Sequence, residues 1–230
     1  MFLESATGER GWVTAQQPVK LGLSDYRLTV PCPESFITHF QPLKEPKTVS
    51  ELFIRFENPE LNVTGTTYLH PLFTLGTASR SDCWNQRRAF VAYWGKADRP
   101  AYLHLRFLHD GYDYASALPF TLQHKGCALT GLVFATDYGD THPSLDRVKN
   151  GTIRAKDLRL RFEFGGDVSE LVFVPYNGPE GMLFLHDRDI QMQIRPLLDP
   201  FGQERFRWEI GQNDEKKWID AIAYSREEKE

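Results

Sequence analysis

The stretch Gly151–Gly166 reads GTIRAKDLRLRFEFGG and carries the clearest structural signal of the chain. Its apolar residues alternate with charged residues at a period of two, which is the pattern of a half-buried β-strand. The predicted core face comprises Leu158, Leu160, Phe162 and Phe164, and the opposite face comprises Arg159, Arg161 and Glu163. The sequence therefore predicts a strand with one apolar face and one charged face.

A second apolar run, Val168–Val174, follows this strand almost at once. The intervening Gly165–Asp167 has turn-forming residues, so the pattern predicts a hairpin between the two strands. The assignment of Leu160 to the core face predicts that Leu160→Asp lowers the free energy of unfolding by more than about 3 kcal/mol, because it places an unpaired carboxylate in the core. By the same assignment, Arg161→Ala is expected to cost little.

Further strand-like segments recur at short, regular spacing and are separated by turn-forming clusters. They are Glu51–Phe56, Tyr68–Leu75, Arg88–Trp94, Ala101–Leu108, Ala117–Gln123, Leu129–Thr136, Met182–Leu185, Ile190–Pro196, Arg205–Ile210 and Trp218–Tyr224. No window of the chain keeps a helical period for three turns. The sequence therefore predicts an all-β fold, an antiparallel β-sandwich of jelly-roll or supersandwich type with about eleven or twelve strands.

A chain of 230 residues is long enough to bury a sizeable core, so no disulfide or metal is needed for stability. We expect a single domain over residues 1–230, with an irregular lead-in at about residues 1–35 and a short charged tail at Arg226–Glu230. The three cysteines are widely spaced, which argues against a disulfide framework and against a CxxC zinc site.

The overall charge and the N-terminus limit the classes of partner. A net charge of -4 provides no broad positive field, so we expect no nucleic-acid partner. Glu4 and Glu9 stand where a signal peptide needs a basic start and an apolar run, and no stretch approaches a membrane span. We therefore expect a cytoplasmic protein with no membrane partner, and secretion stays open for the case that the chain is an excised domain.

The loop Asp137–Asp146, DYGDTHPSLD, crowds acidic residues between two strong strand patterns. Carboxylates in a glycine-containing loop suit Ca²⁺, and Asp137, Asp140 and Asp146 are the candidate ligands. His142 alone falls short of the three or four ligands of a zinc site. The alternative is a long turn in which Asp and Thr side chains cap backbone groups. Apart from Ca²⁺ in this loop, we expect no cofactor.

A second candidate lies in His104–Tyr114, HLRFLHDGYDY, where His104 and Arg106 share one strand face. His109 and Asp110 follow at the turn, and such a pair suits general acid–base chemistry. No nucleophile accompanies the pair, and a surface histidine beside a turn aspartate is the more common explanation. The sequence thus offers His109, Asp110, Asp140 and His142 as catalytic candidates.

Aromatic residues and arginines are mixed in the middle of the chain. Aromatic rings pack against the apolar faces of sugars, and arginine offers bidentate hydrogen bonds to uronate or sulfate groups. The candidate ligand-binding residues are Trp84, Arg87, Arg88, Trp94, Arg106, Tyr112 and Tyr114. The alternative is that most of these rings lie in the core while the arginines line the solvent face of a sheet.

Residues 103–166 include the segments HDGYDYASA, FATDYGDTHPSLD and AKDLRLRFEFGG. This region resembles the β-sandwich regions of bacterial polysaccharide-processing proteins of the heparinase II/III type. The sequence lacks the helical toroid that carries much of the catalytic machinery in that family, so the resemblance transfers no catalytic residue. It implies a carbohydrate context.

The leading interpretation is a β-sandwich module that binds carbohydrate, with acidic polysaccharide as the suggested ligand class. Two alternatives stay open. One is a β-sandwich glycoside hydrolase or polysaccharide lyase that uses loop carboxylates and histidine, since such enzymes need no marked motif. The other is a structural or assembly module whose exposed strands bind a protein partner, and a homo-oligomer also stays open.

Overall fold

The computed structural model describes residues 2–5, 10–12, 26–27, 42–80, 89–96, 98–114, 117–134, 155–169, 171–175, 182–195, 197 and 207–225. Backbone contacts divide the chain into two compact units, residues 1–42 and residues 43–230. The predicted acidic loop and charged tail lie outside the described residues. The expectation of a single domain stays a prediction.

The first unit contains three short strands: β1 (Phe2–Ser5), β2 (Arg10–Trp12) and β3 (Tyr26–Arg27). They form an antiparallel sheet in the order β2-β1-β3. The predicted irregular lead-in therefore contains a small sheet within its described residues.

The second unit contains the remaining strands. They are β4 (Lys47–Ile54), β5 (Val63–Leu69), β6 (Phe73–Ala78), β7 (Phe90–Lys96), β8 (Arg99–His109), β9 (Tyr112–Asp113), β10 (Ala117–His124), β11 (Cys127–Phe134), β12 (Asp157–Gly166), β13 (Val172–Pro175), β14 (Leu183–Asp187), β15 (Ile190–Ile194), β16 (Arg207–Gln212) and β17 (Lys217–Ser225). A single turn of 3₁₀ helix, Pro59–Leu61, connects β4 and β5.

These strands form three sheets in which every described pairing is antiparallel. The large sheet has the order β16-β17-β12-β8-β7-β6-β5-β4, with β9 paired to the end of β8. A small sheet has the order β13-β14-β15, and β10 pairs with β11 in a two-stranded sheet, with one isolated antiparallel bridge from Phe120 of β10 to Arg80. The large sheet thus joins strands from both halves of the second unit.

The strand that dominates the sequence signal, β12, lies between β8 and β17 near the centre of the large sheet. Its predicted core face is confirmed, because Leu158, Phe162 and Phe164 are only 2%, 6% and 0% exposed, while Leu160 is partly buried and packs against the core cluster. Its charged residues lie on the opposite face. A central strand meets different surroundings on its two faces, which explains why its alternation is so clear.

The predicted hairpin between β12 and the next apolar run is wrong. β12 pairs with β8 and β17, whereas β13 pairs with β14 in the small sheet. Gly166 has a φ of 74°, and the N–H of Val168 donates to its carbonyl at 2.9 Å. A side chain at Gly166 would also clash with the carbonyl oxygen of Pro100. This turn therefore requires glycine and leads the chain from the large sheet into the small one.

The predicted strand Tyr68–Leu75 is also wrong as a single element, because β5 ends and β6 begins within it. His70 and Phe73 exchange backbone hydrogen bonds of 2.9 and 3.2 Å, which closes a turn. Nδ1 of His70 also accepts a hydrogen bond from the N–H of Leu72 at 3.2 Å. Pro71 has no N–H for a ladder, so the apolar run breaks there.

The core of the second unit lies against one face of the large sheet. Leu103 and Leu105 of β8 and Ile219 of β17 contribute to it together with the apolar face of β12. Leu183 and Leu185 of β14 belong to the same buried cluster, so the small sheet packs against the large one. Burial of apolar area, at roughly 25 cal/mol per Å², is the main stabilising contribution here.

The protein is therefore nearly all-β and antiparallel, as the sequence predicts. Seventeen strands lie in the described residues, so the predicted count of eleven or twelve is not confirmed. Within the described ranges there is no helix with the length and apolar character that a membrane crossing demands.

Candidate functional site

Several predicted site residues lie outside the part of the chain that the structure describes. They are Trp84, Arg87, Arg88, Asp137, Asp140, His142 and Asp146. The predicted Ca²⁺ loop and two of the catalytic candidates therefore stay predictions. Among the described residues, no three His, Cys, Asp or Glu side chains are grouped closely enough to hold a metal ion.

Trp94 lies in the core and not on the surface. It is 3% exposed, and its indole Nε1 donates a 2.6 Å hydrogen bond to Oδ2 of Asp187. Oδ1 of Asp187 accepts hydrogen bonds from the N–H and the hydroxyl of Ser169 at 3.1 and 2.9 Å. These three donors satisfy a fully buried carboxylate, which burial of a charge requires. Trp94 thus links β7 to β14 and offers no face to a ligand.

The two predicted tyrosines have opposite environments. Tyr114 is 3% exposed and stacks on the ring of His109, with centroids 4.7 Å apart. Tyr112 is 58% exposed. It follows Asp110 and Gly111, whose φ angles of 49° and 88° suit the tight turn of the β8–β9 hairpin. Of the two tyrosines, only Tyr112 is accessible to a ligand.

The side chains of the predicted pair, His109 and Asp110, are not hydrogen-bonded to each other. His109 is buried, and its Nδ1 lies 3.9 Å from Oδ2 of Asp110, which is beyond hydrogen-bonding distance. Oδ1 of Asp110 instead accepts hydrogen bonds from the backbone N–H groups of Lys156 and Asp157, both at 2.8 Å. These bonds fasten the β8–β9 turn to the start of β12. The geometry therefore gives Asp110 a structural role.

The face of the large sheet opposite the core carries aromatic and charged side chains, and we call it the charged face. The ladder register aligns its residues in rows that cross the strands. The first row is Tyr93, Tyr102 and Gly165, the second is His104, Glu163, Trp218 and Gly211, and the third is Arg106, Arg161, Asp220 and Glu209. The rings therefore lie next to one another, beside a row of ionised groups.

Two rings of the charged face extend over glycines of the neighbouring strands. Tyr102 lies over Gly165 and Trp218 lies over Gly211, each in the space that a Cβ would need. Tyr102 also stacks on His104, with centroids 4.6 Å apart and an angle of 29° between the ring planes. Glycine in a strand allows such close approach, so these rings are packed directly against the sheet.

Tyr93, Tyr102, His104 and Trp218 form what we call the aromatic patch. Tyr93 lies opposite Tyr102 in the ladder and is 41% exposed, and the other three rings are partly exposed. The guanidinium of Arg161 lies 4.7 Å from the centroid of the Trp218 ring, at cation–π distance. The patch is therefore fixed by its neighbours while part of each ring stays accessible.

Glu163 occupies the centre of the aromatic patch. Its Oε1 accepts a hydrogen bond from Nζ of Lys216 at 3.0 Å, and its Oε2 accepts one from Nη1 of Arg106 at 3.1 Å. Arg106 also binds Asp113 through two parallel bonds of 2.9 and 3.0 Å. Burial raises the pKa of Glu163, but the hydrogen bonds and charges of Lys216 and Arg106 outweigh it and hold the pKa below its ordinary value. Glu163 is therefore ionised at neutral pH.

Asp220 is the centre of a second ion-pair cluster. Its side chain is 2% exposed, and it accepts two bonds of 2.8 Å from Nε and Nη2 of Arg161. Arg159 approaches Asp220 at 3.4 Å and also binds Asp157 and Glu209. The cluster links β12, β16 and β17 on the charged face.

The charged face compensates its own charges. Among the described side chains, the cations that form ion pairs on this face are Arg106, Arg159, Arg161 and Lys216, and the carboxylates that bind them are Asp113, Asp157, Glu163, Glu209 and Asp220. Arg106, which the sequence suggests as an anion contact, already binds two carboxylates. An acidic ligand would compete with these carboxylates for the same cations.

The sequence pattern does not identify most of the aromatic patch. Alternation along β8 places His104 and Arg106 on one face, and one further step of the same alternation adds Tyr102. Trp218 has no such signal, because its place beside Glu163 depends on the pairing of β17 with β12, which are distant in sequence.

Comparison of the chain with protein-family models, with curated proteins and with solved structures finds no match in any of the three. The resemblance of residues 103–166 to heparinase II/III-type proteins is neither supported nor refuted. The class that the structure defines is an antiparallel β protein with an aromatic, ion-paired face on its large sheet. A function therefore has to be argued from that face.

Proposed function

We propose that the protein is a carbohydrate-binding β-sandwich module whose ligand surface is the aromatic patch. In this proposal the large and small sheets are the two layers of the sandwich, and the buried cluster that they share supports it. The observation that carries the proposal is the set of rings around Glu163 on the opposite, charged face. A polysaccharide lying across the strands would meet these rings in succession.

The rings have the chemistry that sugar binding needs. The C–H groups on one side of a pyranose form an apolar surface, which packs well against the face of an aromatic ring. Tyr102 and Trp218 are packed against Gly165 and Gly211 of their own sheet. Binding therefore immobilises few additional side chains, and the entropic cost of association is small. Lys216, with 36% of its side chain exposed, offers hydrogen bonds to hydroxyl groups at the edge of the patch.

The electrostatics favour a neutral glycan over the acidic polysaccharide that the arginine-rich sequence suggests. Arg106 and Arg161 form bidentate pairs with Asp113 and Asp220. A uronate or sulfate group would have to replace a carboxylate that is already well placed, at little net gain. Neutral hydroxyl groups need no such exchange, because they accept and donate hydrogen bonds beside intact ion pairs.

The test is a calorimetric binding screen of the purified protein against neutral, uronic and sulfated glycans, with product analysis of the same incubations. We expect saturable binding of a neutral glycan, no cleavage, and an affinity that changes little with salt. Tyr102→Ala should weaken binding about tenfold or more, and Tyr102→Phe, which keeps the ring, should retain it. Tyr112→Ala is the matched control, because Tyr112 is an exposed tyrosine outside the patch.

Each other outcome counts against a defined part of the proposal. A preference for sulfated glycans with steep salt dependence would contradict the neutral ligand. Equal losses in Tyr102→Ala and Tyr112→Ala would contradict the location of the site. Cleavage products would favour the hydrolase or lyase alternative. Absence of binding to every glycan in the panel would overturn the proposal of carbohydrate binding.

A further inference from the structure

β4 forms one edge of the large sheet and, within the described residues, pairs with β5 alone. It is eight residues long, and every residue from Lys47 to Phe53 is exposed. An edge strand presents a row of backbone N–H and C=O groups that can pair with another strand. The edge at β4 is therefore a potential surface for strand addition.

Two features limit the open part of this edge. The ladder register shifts between Leu52 and Ile54, and such a bulge bends the strand away from regular pairing. Pro46, just before the strand, has no N–H to donate. Between these points, Lys47–Leu52 pairs with β5 in unbroken register. The part of this stretch that is centred on Val49 is the segment KTVSE.

This segment is complementary to itself in the antiparallel orientation. A two-fold axis at Val49 places that residue opposite its own copy, Lys47 opposite Glu51, and Thr48 opposite Ser50. Opposite charges then meet at both ends of the pair. Neither Lys47 nor Glu51 forms an ion pair with any described residue, so both are available. The pairing also covers Val49, which is 39% exposed.

We infer that this edge binds a second copy of the chain, so that two large sheets join through an antiparallel β4–β4 pair. Symmetry supplies the matching lysine and glutamate without any further requirement. The opposite edge, β16, is less suitable, because its Glu209 is already bound to Arg159. One strand pair buries less than about 1,200 Å², so the dimer is weak and forms only at sufficient concentration.

The test is sedimentation velocity of the full chain from about 1 µM to about 500 µM, a range that covers weak association. We expect the wild-type protein to shift from monomer to dimer within this range. Lys47→Glu places Glu opposite Glu at both ends, and Glu51→Lys places Lys opposite Lys. Each single variant should therefore dimerise at least about tenfold more weakly.

Mixing the two variants separates a charge effect from damage to the strand. One variant then carries two glutamates on its edge and the other carries two lysines, so every opposing pair is attractive. We expect the equimolar mixture to form a heterodimer at least as well as the wild-type protein forms its dimer. Lys96→Glu is the matched control, because it makes the same charge change at an exposed position of β7.

A wild-type protein that stays monomeric over the whole range would overturn the inference. So would dimerisation that neither charge reversal weakens, since the contact would then lie elsewhere. Failure of the mixed variants to associate would also overturn it, because the β4–β4 register requires them to pair. Glycan binding is measured separately, and its loss or retention does not bear on these outcomes.

Discussion

On one face of the large sheet Phe162 and Phe164 pack into the core, whereas on the other face Arg161 and Glu163 form ion pairs with neighbouring strands. All four residues belong to β12, so the backbone is the same and only the surroundings differ. Apolar burial is non-directional and scales with area. An ion pair contributes only when its partner is correctly placed, and its gain is offset by desolvation.

The two faces of the large sheet therefore contribute differently to stability and to binding. We expect the apolar face to supply most of the stability, because its side chains are close-packed and lost volume is costly there. The charged face contributes less per residue and leaves rings and ionised groups accessible, which is what a ligand surface requires. Glu163 and Asp220 differ from their neighbours on this face, because both carboxylates are buried and make the stability depend on charge.

The largest expected effect comes from breaking the apolar face. Phe164 is fully buried, so Phe164→Ala should lower the free energy of unfolding by about 3–5 kcal/mol through lost burial and a residual cavity. Urea unfolding monitored by circular dichroism measures it. Phe53→Ala is the control, because Phe53 is 70% exposed and should cost less than about 0.5 kcal/mol. Similar losses in both variants would contradict the assignment of the faces.

A smaller effect is expected on the charged face, and here the structure changes the expectation. The position of Arg161 on the charged face alone predicts that Arg161→Ala lowers the stability little. Asp220 is nearly buried, however, and without Arg161 it would keep only the 3.4 Å contact with Arg159. We therefore expect Arg161→Ala to cost about 1–3 kcal/mol. Adding Asp220→Ala should cost less than the sum of the single changes, because the orphaned carboxylate is removed. Additive losses would show that the pair is not coupled.

A still smaller loss of stability is expected when the pH is lowered and the Glu163 carboxylate becomes protonated. Its folded pKa lies below the ordinary value of 4.5, which the unfolded chain retains, because Lys216 and Arg106 outweigh the effect of burial. The stabilisation is therefore fully present above that value and is lost as the pH falls through the folded pKa. The stability difference between the wild-type protein and Glu163→Gln should shrink from about pH 7 to about pH 3. A constant difference would contradict the ion pairs.

Alternation was sufficient to predict β12 and its two faces. The polarity of each residue in this strand indicates which face of the sheet it occupies, so the pattern can be read without knowing the neighbouring strands. The course of the chain after β12, from the large sheet into the small sheet, cannot be predicted in this way. Turn composition at Gly166 is compatible with a hairpin, and it is the pairing of β13 with β14, and not with β12, that shows that the chain leaves the large sheet.

The candidate site was less predictable than the fold because its members meet only through long-range pairing. Tryptophan is a residue type that suits sugar binding. Trp94, however, lies in the core, where it donates a hydrogen bond to Asp187, a residue 93 positions away in the sequence. The sequence suggests that Arg106 contacts an anionic ligand, but in the structure Arg106 donates hydrogen bonds to the carboxylates of Glu163 and Asp113. Composition identifies the residue types, and the strand order decides which of them reach the surface.

NMR chemical-shift mapping tests whether the aromatic patch on the charged face is the ligand surface, as we propose. The ligand is the neutral glycan that binds best in the screen. We expect the largest shifts at Tyr102, His104, Glu163 and Trp218, with little change at Phe164 on the opposite face. Shifts centred away from these residues, or no shifts at ligand concentrations that should saturate the site, would contradict the claim.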